Sequence, residues 1–149
     1  MTDRALTDIE VERLFDRLAP DWRVVDATLA DSGHHAVYHV TAATPTGRRE
    51  VVLKSMPATG GYGVAVEARL QALLAEHTDI PVPAVHAAVD AAAAVDAPTP
   101  AYLMARLDGR PLRRDDLGDL GETTVRTLAR QLGGHLAELH AVDAVDEFG

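Results

Sequence analysis

One lysine stands alone in this sequence, and its position suggests a chemical role. Lysine and arginine total 14 of the 149 residues, and only Lys54 is a lysine. In an alternating strand, the same-face neighbours of Lys54 are Val52 and Met56, which are both apolar. A compact ammonium on such a face is suited to a phosphate, a role in which arginine is not its equivalent. The alternative is a lysine that lays its methylenes over apolar surface and keeps its ammonium in water.

A carboxylate follows at a position that could pair with this ammonium. Glu67 lies in a predicted helix, near the edge of the apolar stripe formed by Val66, Leu70 and Leu74, so it is expected to point partly inward. There it could orient the ammonium of Lys54, as strand-lysine to helix-glutamate pairs do where proteins hold nucleotide phosphates. The alternative is a solvent-exposed glutamate that contacts a residue one helical turn away.

The elements that must position these two groups follow from turn residues and hydrophobic periodicity. The capping box Thr7-Asp8-Ile9-Glu10 predicts an amphipathic helix over residues 7–18, with Ile9, Leu14 and Leu18 roughly on one face. Runs rich in β-branched and aromatic residues predict five strands, at 22–30, 36–42, 49–56, 84–89 and 101–106. Apolar residues at helical spacing predict two further helices, at 64–77 and 122–141. The sequence therefore predicts an α+β fold, with a five-stranded antiparallel sheet and one main packed helix.

The composition narrows the class of protein. The net charge is -9 at pH 7, so the surface repels nucleic acid and no nucleic-acid partner is expected. No apolar run approaches the about 20 residues of a spanning helix, and the acidic N-terminus is unlike a signal peptide, so we expect a cytoplasmic chain without a membrane partner. The absence of cysteine excludes disulfides and thiolate zinc sites. The acidic, lysine-poor composition fits a salt-adapted, halophilic source, and it fits a GC-rich genome equally well.

Three histidines near the second strand do not predict a metal site. His34, His35 and His39 lie close together in the sequence. In a strand, however, His35 and His39 are about 13 Å apart on one face, which is too far for one ion. No metal ligands are expected.

Five stretches resemble, in order, the aminoglycoside phosphotransferase and choline-kinase-like family, whose fold is protein-kinase-like. They are SGHHAVYHV, VVLKSMP, VAVEARLQALLAEHTDIPVPAVHA, AYLMARLDGRPL and LARQLGGHLAELHAV, the first of which begins at Ser32. The resemblance as a whole covers roughly residues 22–142. The resemblance implies a nucleotide-binding N-terminal lobe over 22–106, preceded by an N-terminal helix over 1–21. Residues 107–149 would form a hinge and the first helix of an incomplete, truncated helical C-terminal lobe.

The resemblance implies roles for five side chains of the N-terminal lobe. Lys54 would bind the α- and β-phosphates of ATP, and Glu67 would position it. Val37 and Val52 would form part of the roof of the adenine pocket, and Met104 would lie at its back.

Further roles are implied for the main chain and for one turn. The carbonyl of Ala105 and the N–H of Leu107 would bind the edge of the adenine. Ser32, Gly33 and His34 would lie over the phosphates. This turn departs from the usual pattern of the family, because it keeps only one glycine and carries adjacent histidines.

The same comparison shows what this sequence lacks. Phosphoryl transfer in the family needs a catalytic-loop Asp, together with an Asn and a second Asp that hold Mg²⁺. The chain contains no asparagine. His140-Ala141-Val142-Asp143 has one residue too many for a catalytic His-x-Asp and directly continues the predicted helix, so we interpret His140 as a helix-end residue. No catalytic residue is therefore assigned, and Mg²⁺ is expected only with the missing C-terminal lobe.

The expected function is the nucleotide-binding portion of an ATP-dependent small-molecule phosphotransferase, inactive alone. Two alternatives stay open. One is a catalytically dead nucleotide-binding or protein-interaction module, and the other is a structural α+β domain in which Lys54 and Glu67 only pair. The helix at 122–141 is expected to need cover from the missing lobe or from a protein partner.

Overall fold

The order of helices and strands is that of an α+β fold. The computed structural model describes residues 5–31, 35–55, 63–89 and 99–142. In chain order the elements are α1 (Asp8–Leu18), β1 (Arg23–Asp31), β2 (Ala36–Thr44), β3 (Gly47–Ser55), α2 (Val64–His77), β4 (Val85–Val89), β5 (Ala101–Ala105), a short 3₁₀ helix (Arg114–Asp119) and α3 (Glu122–His140). The predicted α+β class is confirmed. Of these elements, the 3₁₀ helix alone was not predicted from the sequence.

Helix α1 begins at the predicted capping box. The hydroxyl oxygen of Thr7 accepts a hydrogen bond from the N–H of Glu10 (3.3 Å), and the Glu10 carboxylate accepts one from the N–H of Thr7 (2.8 Å). This exchange satisfies donors at the start of the helix that have no intrahelical partner. The predicted place of Ile9 on the apolar face is wrong, because Ile9 is 62% exposed. It lies two residues before Val11 and so on the opposite side of the helix. The buried residues are Val11, Leu14, Phe15 and Leu18.

The sheet has five antiparallel strands in the order β1-β2-β3-β5-β4, which confirms the predicted sheet. β2 and β3 form a hairpin in which Thr44 pairs with Gly47. Gly47 has a φ of 122°, a conformation open to glycine and disfavoured for other residues. Strands β3 and β5 lie inside the sheet, so their side chains have strand neighbours on both sides.

One face of the sheet packs against α1 and forms the larger hydrophobic core. Alternate residues of β2, β3 and β5 contribute to it: Tyr38, Val40, Ala42, Val51, Leu53, Ala101 and Leu103. The hydroxyl of Tyr38 also donates to the carbonyl of Leu6 (3.1 Å) and accepts from its N–H (2.6 Å). The structure thus adds a second packed helix to the predicted one, because α1 covers this face.

Helix α2 packs against the other face through few side chains. Val64 and Ala68 form a small buried cluster with Tyr102 of β5. Val66 and Leu70 are 38% and 48% exposed, so the predicted inward stripe through these two residues is wrong. Because α2 carries apolar residues on nearly every side, periodicity alone did not identify the packed face.

Contacts divide the chain into two units. The first comprises Met1–Ala72 and Pro83–Arg106, and the second comprises Leu73–Val82 and Leu107–Gly149. In the second unit, the N–H of Asp79 donates to Oε2 of Glu138 on α3 (2.9 Å). The α3 residues at the predicted apolar spacing are exposed: Val125, Leu128, Leu132, Leu136 and Leu139. Within the described ranges, no helix has both the length and the apolarity to cross a membrane.

Candidate functional site

Lys54 lies on the face of the sheet against which α2 packs. The strand register places Val37 of β2 and Tyr102 of β5 directly beside it. Its ammonium forms an ion pair with Oε1 of Glu67 on α2. The side chain of Lys54 is 16% exposed and that of Glu67 is 37% exposed, so water reaches the pair without surrounding it. The structure therefore brings together the two charged residues that the sequence singled out.

The position of Glu67 follows from the start of α2. The helix begins at Val64, and Glu67 is the acidic residue of its first turn, where the helix dipole favours a negative charge. Glu67 lies three residues after Val64 and next to Ala68, the two residues of α2 that are buried against the sheet. Its direction toward Lys54 is therefore set by this buried side of the helix, and not by the predicted stripe of Val66 and Leu70.

Tyr102 completes the polar group around the ion pair, and sequence reasoning missed it. Its hydroxyl donates to Oε1 of Glu67 (3.2 Å), and the Lys54 nitrogen lies 5.9 Å from the centroid of its ring. Burial raises the pKa of Tyr102, and the nearby charge and hydrogen bond of Glu67 raise it further, so the phenol stays a neutral donor. The sequence pattern could have identified Tyr102, because it precedes Met104 by two residues and alternation puts both side chains on one face of the strand.

Three apolar side chains surround Lys54 on the same face of the sheet. Val52 lies two residues before Lys54 on β3 and pairs with Met104 of β5. Val37 pairs with Lys54 from the other side. Val52 is buried, whereas Val37 and Met104 are half-buried. These residues share a face of the sheet, and the adenine contacts that the resemblance implies for them stay predictions.

A glutamine on α2, also missed from the sequence, fixes the helix next to this apolar row. Gln71 lies one turn after Glu67, and its Nε2 donates to the carbonyl of Pro83 (2.7 Å). The same nitrogen lies 3.5 Å from Sδ of Met104. Glu67 and Gln71 thus connect successive turns of α2 to separate parts of the first unit.

Ala105 and Leu107 are the remaining predicted site residues that the structure describes. The N–H of Ala105 donates to the carbonyl of Ala84 (2.8 Å). Leu107 follows β5, and its side chain is exposed. The predicted adenine contacts of the Ala105 carbonyl and the Leu107 N–H are not tested by these positions. The predicted site residues Ser32, Gly33 and His34 lie outside the described residues, as do Met56 and Asp143.

The chemistry of this face suits an anion that is linked to an apolar group. Lys54 supplies a positive charge in a half-buried position, where water screens charges less than it does at the open surface. Val37, Val52 and Met104 supply apolar surface next to that charge. Among the described residues, no group of three or more histidine or acidic side chains is placed to hold a metal ion.

The chain matches the sequence model of a known protein family. The model described as the phosphotransferase enzyme family (APH) matches residues 9–149. This span contains Lys54, Glu67 and Tyr102, together with the strands and helix that position them. None of the curated proteins compared with the chain matches it.

Proposed function

The chain belongs to the phosphotransferase enzyme family, and from this premise we propose that its first unit binds the nucleotide of an ATP-dependent small-molecule phosphotransferase. The family suspected from five sequence stretches is confirmed. One observation carries the finer proposal. The ammonium of Lys54 is held by Glu67 on a sheet face that also presents the apolar side chains of Val37, Val52 and Met104.

Lys54 is the proposed contact for the phosphates. Its ammonium is a compact charge with three donors, which suits the α- and β-phosphate oxygens of ATP. Glu67 limits the directions in which that ammonium points. The Lys54 side chain keeps 16% of its surface exposed and its ammonium has three donors, so a phosphate can approach it while the carboxylate stays paired.

The apolar side chains are the proposed contacts for the adenine ring. Burial of a flat aromatic ring against Val37, Val52 and Met104 removes apolar surface from water. Hydrogen bonds from the carbonyl of Ala105 and the N–H of Leu107 remain predictions from the resemblance, as does the covering of the phosphates by Ser32, Gly33 and His34.

In this proposal the chain binds ATP, and none of its residues is assigned to the phosphoryl-transfer step. ATP supplies the transferable γ-phosphoryl group, and the acceptor would be a small metabolite with a hydroxyl or amine. Transfer in this class also requires Mg²⁺ ligands that include an asparagine, and the sequence has none. We therefore name no catalytic residue.

Calorimetric titration with Mg-ATP tests the proposal. We compare the wild-type chain with Lys54→Ala, in high salt to support an acidic protein. Arg49→Ala is the matched control. It removes one positive charge from the same strand. By alternation, Arg49 lies on the opposite face of the sheet from Lys54, where its Cζ is 5.9 Å from the centroid of the Trp22 ring.

We expect saturable binding to the wild type and to Arg49→Ala, and at least tenfold weaker binding to Lys54→Ala, which corresponds to about 1.4 kcal/mol or more. Equal binding to all three proteins would contradict the role of Lys54. If the folded wild type binds no nucleotide, the chain is better explained as an interaction module of the same family.

A further inference from the structure

We propose that Tyr102 is a positioning residue that holds the Glu67 carboxylate in place and thereby fixes the direction of the Lys54 ammonium. The effect on nucleotide affinity rests on the proposed function. The effect on the Lys54 side chain does not, because it concerns the protein without any ligand.

The contacts of Glu67 converge on one oxygen. Oε1 accepts from the ammonium of Lys54 and from the hydroxyl of Tyr102. Lys54 comes from β3, Tyr102 from β5 and Glu67 from α2, so the carboxylate links a helix to two neighbouring strands. Since the Lys54 nitrogen also lies 5.9 Å from the centroid of the Tyr102 ring, the three groups form a closed set of contacts.

Of the three side chains, Tyr102 is the one that is most restricted by packing. This residue is 1% exposed and lies in a buried cluster with Val64 and Ala68. Lysine and glutamate are flexible side chains, and an ion pair that water reaches loses much of its attraction to screening and to lost rotamer freedom. The fixed point for the carboxylate is therefore the phenol. The mobile ammonium then takes its direction from a carboxylate that is already placed.

A purely structural role would also account for this hydrogen bond, because buried phenols are normally hydrogen-bonded. The chain supplies a matched comparison in Tyr38. This residue is 5% exposed, lies on the opposite face of the same sheet, and exchanges hydrogen bonds with the main chain of Leu6. Removal of either hydroxyl should affect stability. Only removal of the Tyr102 hydroxyl should affect Lys54.

Lys54 can be observed selectively, because it is the only lysine of the chain. Incorporation of ¹³C-lysine therefore gives one set of lysine side-chain signals in an NMR spectrum. We compare the chemical shift and the order parameter of the Lys54 ε-methylene group in wild type, Tyr102→Phe and Tyr38→Phe, without nucleotide. The affinity for Mg-ATP is then measured on the same proteins.

In Tyr102→Phe we expect the chemical shift of the Lys54 ε-methylene group to move toward that of a free lysine, and its order parameter to fall. ATP binding should weaken roughly two- to fivefold, the loss that follows from one hydrogen bond. Because Tyr102 acts through Glu67, this loss should not exceed that of Glu67→Ala. The double variant Glu67→Ala/Tyr102→Phe should then have the same Lys54 signal as Glu67→Ala alone.

Two results would overturn the inference. One is a Lys54 signal in Tyr102→Phe that equals that of the wild type, and the other is an equal change in Tyr38→Phe. If Tyr102→Phe does not fold, Glu67→Ala tests the same link. A wild-type Lys54 signal in Glu67→Ala would exclude any positioning through the carboxylate. Absence of ATP binding to the wild type would remove the proposed function, while the Lys54 signal still decides the role of Tyr102.

Discussion

The ammonium of Lys54 on β3 contacts Oε1 of Glu67 on α2, across 13 positions of the chain. The pair forms because β3 lies inside the sheet and presents Lys54 to the side of α2 that carries Val64 and Ala68. A lysine that merely covered the surface would not have a carboxylate and a buried phenol converging on it.

Replacement of Glu67 by alanine should weaken ATP binding roughly two- to fivefold, because a half-exposed ion pair contributes up to about 1 kcal/mol. The physical reason is that Lys54 loses its fixed direction. Calorimetry on Glu67→Ala measures the change, and Glu76→Ala, an exposed position on the same helix, is the control. Tighter binding to Glu67→Ala would show instead that the carboxylate competes with the phosphates for Lys54.

Gln71→Ala should lower the free energy of unfolding by about 1 kcal/mol, since it removes the hydrogen bond to the carbonyl of Pro83. Urea unfolding followed by circular dichroism measures this change. Gln131→Ala, at an exposed position on α3, should leave the free energy nearly unchanged. An equal effect of the two substitutions would mean that the Gln71 hydrogen bond does not stabilise the first unit.

Thr7→Ala should also destabilise the protein, by about 1 kcal/mol, because it removes the cap of α1. The effect should reach the whole first unit, since α1 covers the larger core. Hydrogen exchange of the buried amides in β2 and β3 would detect it, with the exposed Thr123→Ala as the control. Loss of protection confined to α1 would contradict the view that α1 and the sheet unfold together.

The raised pKa of Tyr102 predicts lower stability at alkaline pH. Below the ordinary tyrosine value of 10.0, the phenol is protonated in the folded and the unfolded chain, so its contribution is fully present. Above that pH the unfolded chain loses this proton first, and the free energy of unfolding falls as the pH rises. Urea unfolding at about pH 8 and about pH 11 measures the fall. It should be smaller in Tyr102→Phe, and an unchanged fall would contradict the assignment.

The bounds of the helices and strands were predicted from the sequence more accurately than the faces through which they pack. Helix α2 was predicted over 64–77 and spans Val64–His77, because proline-rich and glycine-rich segments bound it clearly. Its packed side was misjudged. Alanine contributes little to a hydrophobic pattern, so Ala68 was passed over in favour of the larger Val66 and Leu70, which are exposed.

The site was predicted in part for a similar reason. Lys54 and Glu67 carry charge, so they stood out in apolar surroundings. Tyr102 did not, because β5 is apolar along its length and a tyrosine in such a strand is an ordinary core residue. Its link to Glu67 depends on the pairing of β3 with β5, a long-range contact that local patterns do not specify.

The most direct test of the account is the NMR signal of ¹³C-labelled Lys54 during a titration with Mg-ATP. Because the chain has one lysine, every lysine side-chain signal belongs to Lys54, and adenosine separates the effect of the phosphates from that of the ring. The account predicts a saturable shift of the Lys54 ε-methylene signal with ATP, and no such shift with adenosine, which lacks the phosphates. A Lys54 signal that stays unchanged at ATP concentrations at which calorimetry shows binding would contradict the central claim.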